Sequence, residues 1–507
     1  MQPRFLTVGD RQVHYHTAGE GPPVVLLHPS PLSGKAVLPL ATELAKHFRV
    51  FALDTPGYGL SDAPATRPES LDDYLEGFAA TFDALGLGPV CLYGAATGAQ
   101  FAVAFARRYP QRVSLMILDS AGHFDSATTE AMVTDYFPPL QPRADGSHLA
   151  TLWHMVHDLF VFFPWCDARP AARLARDLPP VTLMQDYLLD YLRAGDRYDW
   201  AYRPAFFHER VEYAREVTVP SLLVRWPSSV ILAETDALIR HGLPDNYEVL
   251  RVGPTPAERY EGIAEAVRAR YGATTAAQPE TSAPAPASRV SSSYIHVDGL
   301  RLHLRSRLAG AGKPLLALHG AGSSASAMER WLLTQGEPAP LLCVDLPGHG
   351  ESTARTAAAG TLDPGVAGLA ALIDNVLGEL GIDSCDIVAE PLGACIAQEL
   401  GRRRPGLVGA LRPLGASPPA TPPLADWLVR HIPDLSPALD GTHLLRAWHH
   451  ARHAALWSPW WQRTRTHALA SPLPPPAELH ARVVDIMKAG PAYAAAVRAE
   501  YEYYAGS

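Results

Sequence analysis

Cysteine is scarce, with 5 residues in a chain of 507. Cys91, Cys166, Cys343, Cys385 and Cys395 show no zinc-site spacing, so neither a zinc centre nor a disulfide framework is expected. Three of them lie in or beside apolar runs, as packed, reduced thiols of a cytoplasmic protein would. No apolar run approaches the roughly 18 residues of a membrane span. The opening Met1-Gln2-Pro3-Arg4-Phe5 lacks the apolar centre of a secretory signal. Basic character is also missing: the net charge is −9 and Lys and Arg are scattered. That balance excludes nucleic acid as the main partner. No cofactor, metal or membrane partner is expected. What remains is a globular chain, 47% apolar and 19% charged, too long for one core.

Strands and helices alternate. Val24-Val25-Leu26-Leu27-His28 and Val50-Phe51-Ala52-Leu53-Asp54 read as short buried strands, and Leu71 to Leu85 as a helix. A strand then runs into Gly94-Ala95-Ala96-Thr97-Gly98, and a helix from Ala99 to Arg108 follows. The pattern predicts a parallel sheet covered on both faces.

The order recurs. His28 pairs with His319, and Asp54 with Asp345, each 291 positions on. Further along, Ala96 pairs with Pro391, Trp153-His154 with Trp448-His449, and Trp165 with Trp460, each 295 positions on. Self-similarity at this length predicts a duplicated domain. Residues 273–290, rich in Pro, Ala, Ser and Thr, read as a linker. The domains are then 1–272 and 291–507. The second has no counterpart of the strands Leu222–Val224 and Glu248–Val252, a natural or an artificial shortening. Its sheet edge would be left open to pairing, by homodimerisation or by tight interdomain docking.

Three features together resemble the α/β-hydrolase superfamily. They are the turns at His28-Pro29-Ser30-Pro31 and His319-Gly320-Ala321-Gly322, the Asp-x-Pro-Gly-x-Gly turns at Asp54 and Asp345, and the elbows at Ala96 and Pro391. The resemblance implies a tandem α/β fold, each copy with a helical cap, at about 123–215 and 417–507. It also implies a nucleophile at the elbow, then an acid, then a histidine. Ala96 and Pro391 cannot attack a carbonyl. No carboxylate follows Leu222-Leu223-Val224, and no imidazole follows Val252. The triad is therefore not retained in either copy. Backbone donors at Thr97, Gly320 and Leu392 are what remain of an oxyanion hole.

Residues for a different chemistry are few. His154 and His449 recur in both caps and could move protons above the elbows. Thr97 and Glu390 flank the absent nucleophiles. Substrate-binding positions are expected at His28, Ser30, Ala96, Trp153 and Trp165, and at His319, Pro391, Trp448 and Trp460. The combination points to a small, largely apolar metabolite under a cap, handled by a lyase, cyclase or atypical hydrolase. The alternative is an inactive relative that binds a ligand or a protein. If His154 and His449 face away from the elbows, the catalytic reading loses its main actors.

Overall fold

A computed structural model describes residues 1–271, 289–336, 340–354, 365–415 and 424–506, with the side chains of 424–426 left aside. Most of the expected linker, and the start of the second expected cap, lie outside these residues.

The first sheet has eight strands: β1 (Gln2–Val8), β2 (Arg11–Ala18), β3 (Pro23–Leu27), β4 (Arg49–Leu53), β5 (Val90–Ala95), β6 (Val113–Asp119), β7 (Ser221–Arg225) and β8 (Tyr247–Arg251). Their order is β1-β2-β4-β3-β5-β6-β7-β8. β2 pairs antiparallel with β1 and β4, and the rest is parallel. All five residues of β3 are buried, because helices cover both faces of a parallel sheet. The helix expected at Leu71–Leu85 spans Asp72–Ala84, and the elbow helix spans Thr97–Arg108.

The second sheet has six strands: β9 (Ser291–Val297), β10 (Leu300–Arg307), β11 (Leu315–Leu318), β12 (Leu341–Val344), β13 (Cys385–Ala389) and β14 (Val408–Pro413). Their order, β14-β13-β11-β12-β10-β9, repeats that of β1 to β6, and among the described residues it has no counterparts of β7 and β8. Compactness groups Met1–Leu140 with Leu152–Pro284, and Gln141–Thr151 with Ala285–Ser507.

Polar networks repeat atom for atom. Asp54 accepts from the Gly34 amide at 2.6 Å, the Leu60 amide at 2.9 Å and His14 Nδ1 at 2.8 Å. Asp345 accepts from the Ala325 amide at 2.6 Å, the Glu351 amide at 3.0 Å and His303 Nδ1 at 2.8 Å. Burial alone would raise the Asp54 pKa. The facing imidazoles of His14 and His28 and the Leu60 amide outweigh it and hold the carboxyl well below its usual range. Both aspartates thus organise turns, as expected. The caps repeat too: Trp165 donates to Tyr136 O at 3.0 Å, and Trp460 to His431 O at 2.8 Å.

Candidate functional site

The first elbow has alanine at its apex. Ala96 sits at φ 50°, ψ −115°, between β5 and the elbow helix. Its amide donates to Asp119 O at 2.9 Å, and its carbonyl accepts from Ala99 at 2.8 Å. A β-carbon on Gly94 would overlap Gly98 O, and one on Gly98 would overlap Leu27 O. Both glycines are thus required by close backbone packing. The conformation costs Ala96 about 1–3 kcal/mol.

The second elbow is different. Glu390 has φ −72°, ψ 169°, and Pro391 opens the helix Pro391–Arg403 at its first position. Proline fixes φ near −65°, so no left-handed residue forms the turn. The expectation of two equivalent elbows is corrected here.

A cavity of about 90 Å³ lies over Ala96. Ala96, Thr97, Ser120, Phe124, Phe163, Tyr202, Ala205, Phe206, Glu209, Val230 and Ile231 line it. Among the described residues, the non-glycine positions with positive φ are Ala96, Ser120 and Asp298. Two of these three line this one cavity. Its wall is mostly carbon. Tyr202 Oη is taken up by Tyr136 Oη at 2.9 Å, and burial pushes the Tyr202 pKa up to about 12.

Glu209 is the cavity's one carboxyl. It is buried, and its Oε2 accepts from the Gly122 amide at 3.0 Å. Burial raises its pKa well above the usual carboxylate range, and the Glu234 carboxyl adds to the rise. The Gly122 amide and Arg210 oppose this without reversing it. The Arg210 guanidinium bonds Phe124 O, Thr129 Oγ1 and Glu209 O rather than the carboxyl. No motif marked Glu209 in the sequence. The second copy has Tyr504 at the matching position, so repetition gave no signal either.

Most residues expected at the site do other work. Ala96 and Thr97 do line the cavity, and Thr97 heads a helix whose first amides lack intrahelical acceptors. His154 faces out: its side chain is 69% exposed and lies 3.4 Å from Asp158 on the same helix. His449 is exposed too. Their helices turn Leu152, Trp153 and Val156, and Leu444, Ala447, Trp448 and Ala451, inward, which leaves both histidines on the outer face. His28 and His319 are consumed by backbone. Their Nε2 atoms accept from Thr55 at 3.0 Å and Leu346 at 2.9 Å, while their Nδ1 atoms bond Pro29 O and Gly320 O. Ser30 is buried against Tyr58, and Trp153 and Trp448 pack as core. Trp165 and Trp460 brace their caps.

Glu390 spends its Oε2 on the Gly320 amide at 2.7 Å, one of the expected oxyanion donors. Tyr493 and Ile486 press against Gly322, and Ala321 packs on a cluster containing Trp427 and Tyr501. The space beside the turn leading to Pro391 is thus filled by the chain's own side chains. His450, one residue past the expected His449, is buried. It hydrogen-bonds Tyr493 Oη at 2.7 Å. Burial, aided by His431 and His453, lowers its pKa to about 3.

A family model for the α/β hydrolase fold matches residues 22–145. The strand order and elbow agree, and the first unit has the α/β-hydrolase fold. Over 125 residues the chain is 32% identical to (E)-2-((N-methylformamido)methylene)succinate hydrolase of Acinetobacter baylyi, covering 24% of this chain and 47% of that protein. Over 124 residues it is 33% identical to 2-hydroxy-6-oxo-2,4-heptadienoate hydrolase of Pseudomonas putida, covering 23% and 44%. The chain thus spans about half the length of the curated relatives it matches. A solved epoxide hydrolase from an endophytic Streptomyces aligns with a TM-score of 0.42 and 17% identity, over 52% of this chain and 94% of that one. No helix among the described residues is long and apolar enough to cross a membrane.

Proposed function

We propose that the first domain binds a small, largely apolar molecule beneath its cap, and that neither domain forms an acyl-enzyme. One observation carries the reading: Ala96 and Ser120 hold costly positive-φ conformations around one apolar cavity. Backbone strain persists where the surrounding structure overdetermines it, and it clusters at ligand sites. The cavity is lined by no histidine or cysteine, and the elbow residue has no nucleophile. Domains 1–272 and 291–507 are in this reading a tandem pair with a degenerate triad. Their free cysteines, four of them buried, fit a reducing, cytoplasmic setting.

Size limits the ligand. An engineered apolar cavity of about 150 Å³ binds benzene, so about 90 Å³ restricts the ligand to fewer heavy atoms than benzene has. The expected result is saturation-transfer NMR contact with 2-methylbut-1-ene, lost in Val230→Trp, which fills the cavity. A fluorophosphonate probe leaves the protein unlabelled, and p-nitrophenyl acetate turns over at the background rate. Absence of any alkene contact sinks the binding reading; labelling of Thr97 or a serine sinks the non-acylating one.

A second reading, a lyase, cyclase or atypical hydrolase, is favoured by a different observation. A carboxyl whose pKa is raised by burial is the environment of a general acid. Glu209 would fill that role in place of His154 and His449.

A further inference from the structure

We propose that Glu209 is the specificity residue of this pocket, donating its carboxyl proton to the carbonyl oxygen of a small, uncharged ligand. The inference rests on the binding reading above and names the ligand's chemistry: a ketone or aldehyde smaller than benzene, not an acid or an amine.

The argument is one of donors and acceptors. Oε2 of Glu209 accepts from the Gly122 amide at 3.0 Å. Oε1 has no hydrogen-bond partner among the described residues. A neutral carboxyl has a single O–H. With Oε2 occupied as an acceptor, the proton resides on Oε1. The polar neighbours are engaged with partners other than the carboxyl. Tyr202 Oη is bonded to Tyr136, and Ser120 Oγ leans toward Asp119 at 3.4 Å. The Arg210 guanidinium is held by Phe124 O and Thr129 Oγ1. Glu234, the other charged group facing Glu209, disfavours its ionisation. An apolar pocket whose one carboxyl offers an O–H beside the hydroxyls of Thr97, Ser120 and Tyr202 selects an uncharged molecule with an acceptor oxygen.

An anion would meet no cation on the wall. An amine would need to form a buried ion pair with two desolvation penalties and no further hydrogen bonds, which a cavity of this lining does not repay.

The test compares butanone with its isostere 2-methylbut-1-ene, which replaces the carbonyl oxygen by a methylene. Wild-type protein is expected to bind butanone about three- to tenfold more tightly, the range of one net hydrogen bond. Glu209→Gln keeps a donor of the same shape and preserves most of this preference. Glu209→Leu abolishes it while still binding the alkene. The carbonyl stretch of bound butanone shifts to lower frequency in the wild type and not in Glu209→Leu, a readout that a purely structural role would not move. The preference fades as pH rises through the folded-state pKa of Glu209, because a carboxylate cannot donate. Alkene binding without a butanone preference overturns the assignment of Glu209 and leaves the pocket standing. Failure of the alkene itself overturns the pocket. Tighter binding of butan-2-amine than of butanone at neutral pH overturns the ligand class.

Discussion

At Ala96 the backbone keeps a shape for which the side chain has no chemical use. Glycine would adopt φ 50° without penalty, and alanine pays about 1–3 kcal/mol to do so. Replacing alanine by glycine ordinarily costs about 0.5–1 kcal/mol through the unfolded chain. The native strain is the larger of the two. Ala96→Gly is therefore expected to stabilise the first unit by about 0.5–2 kcal/mol, read from urea unfolding. A loss of stability would mean that the elbow is not strained. Gly98 gives the opposite result. Its β-carbon would have to displace Leu27 O, which is backbone within a central strand, so Gly98→Ala falls among overpacking changes costing about 1–3 kcal/mol or more.

At the scale of helices and strands, the buried runs were legible because parallel strands must be apolar on both faces. Val24-Val25-Leu26-Leu27 announces β3 without any structure. The cap helices carried equally legible phase information. Leu149, Leu152, Trp153 and Val156 follow a seven-residue stripe that turns position 154 outward. Recurrence of His154 and His449 at a spacing of 295 said nothing about direction. Glu209 was illegible for another reason. It caps the end of the short helix Tyr202–His208, and only the fold brings it opposite the elbow. No spacing rule connects a cap residue with a strand end so distant in sequence. The phase argument makes a prediction of its own: His154→Ala and His449→Ala each change stability by less than about 0.5 kcal/mol. Each also leaves alkene and butanone binding as in wild type. A tenfold loss of binding in His154→Ala would show that the helix face has been assigned wrongly.

Over the whole molecule, the two units hold their buried titratable groups in different balance. In the second unit, burial lowers the pKa of His349, His431, His443 and His480 to about 4, and that of His450 to about 3. A histidine whose folded pKa is depressed favours folding above its unfolded value of about 6.5. That contribution is lost as pH falls toward the folded value, because the unfolded chain takes up the proton first. Glu500, raised by burial and by Glu390 to about 7, and Asp485, also raised, act in the reverse direction. Five such histidines outweigh two carboxyls. In the first unit, His28, His123 and His208 are lowered, but Glu209, Glu234 and Asp186 are raised and gain stability as pH falls. The second unit should therefore be the acid-labile one. Between pH 7.5 and 5, hydrogen exchange measured against urea should show the helices Thr442–Ala454 and Pro476–Ala489 losing protection at progressively lower denaturant. The elbow helix Thr97–Arg108 should hold its midpoint over the same range. If the elbow helix gives way first, burial of neutral histidine is not what governs the acid limit of this protein.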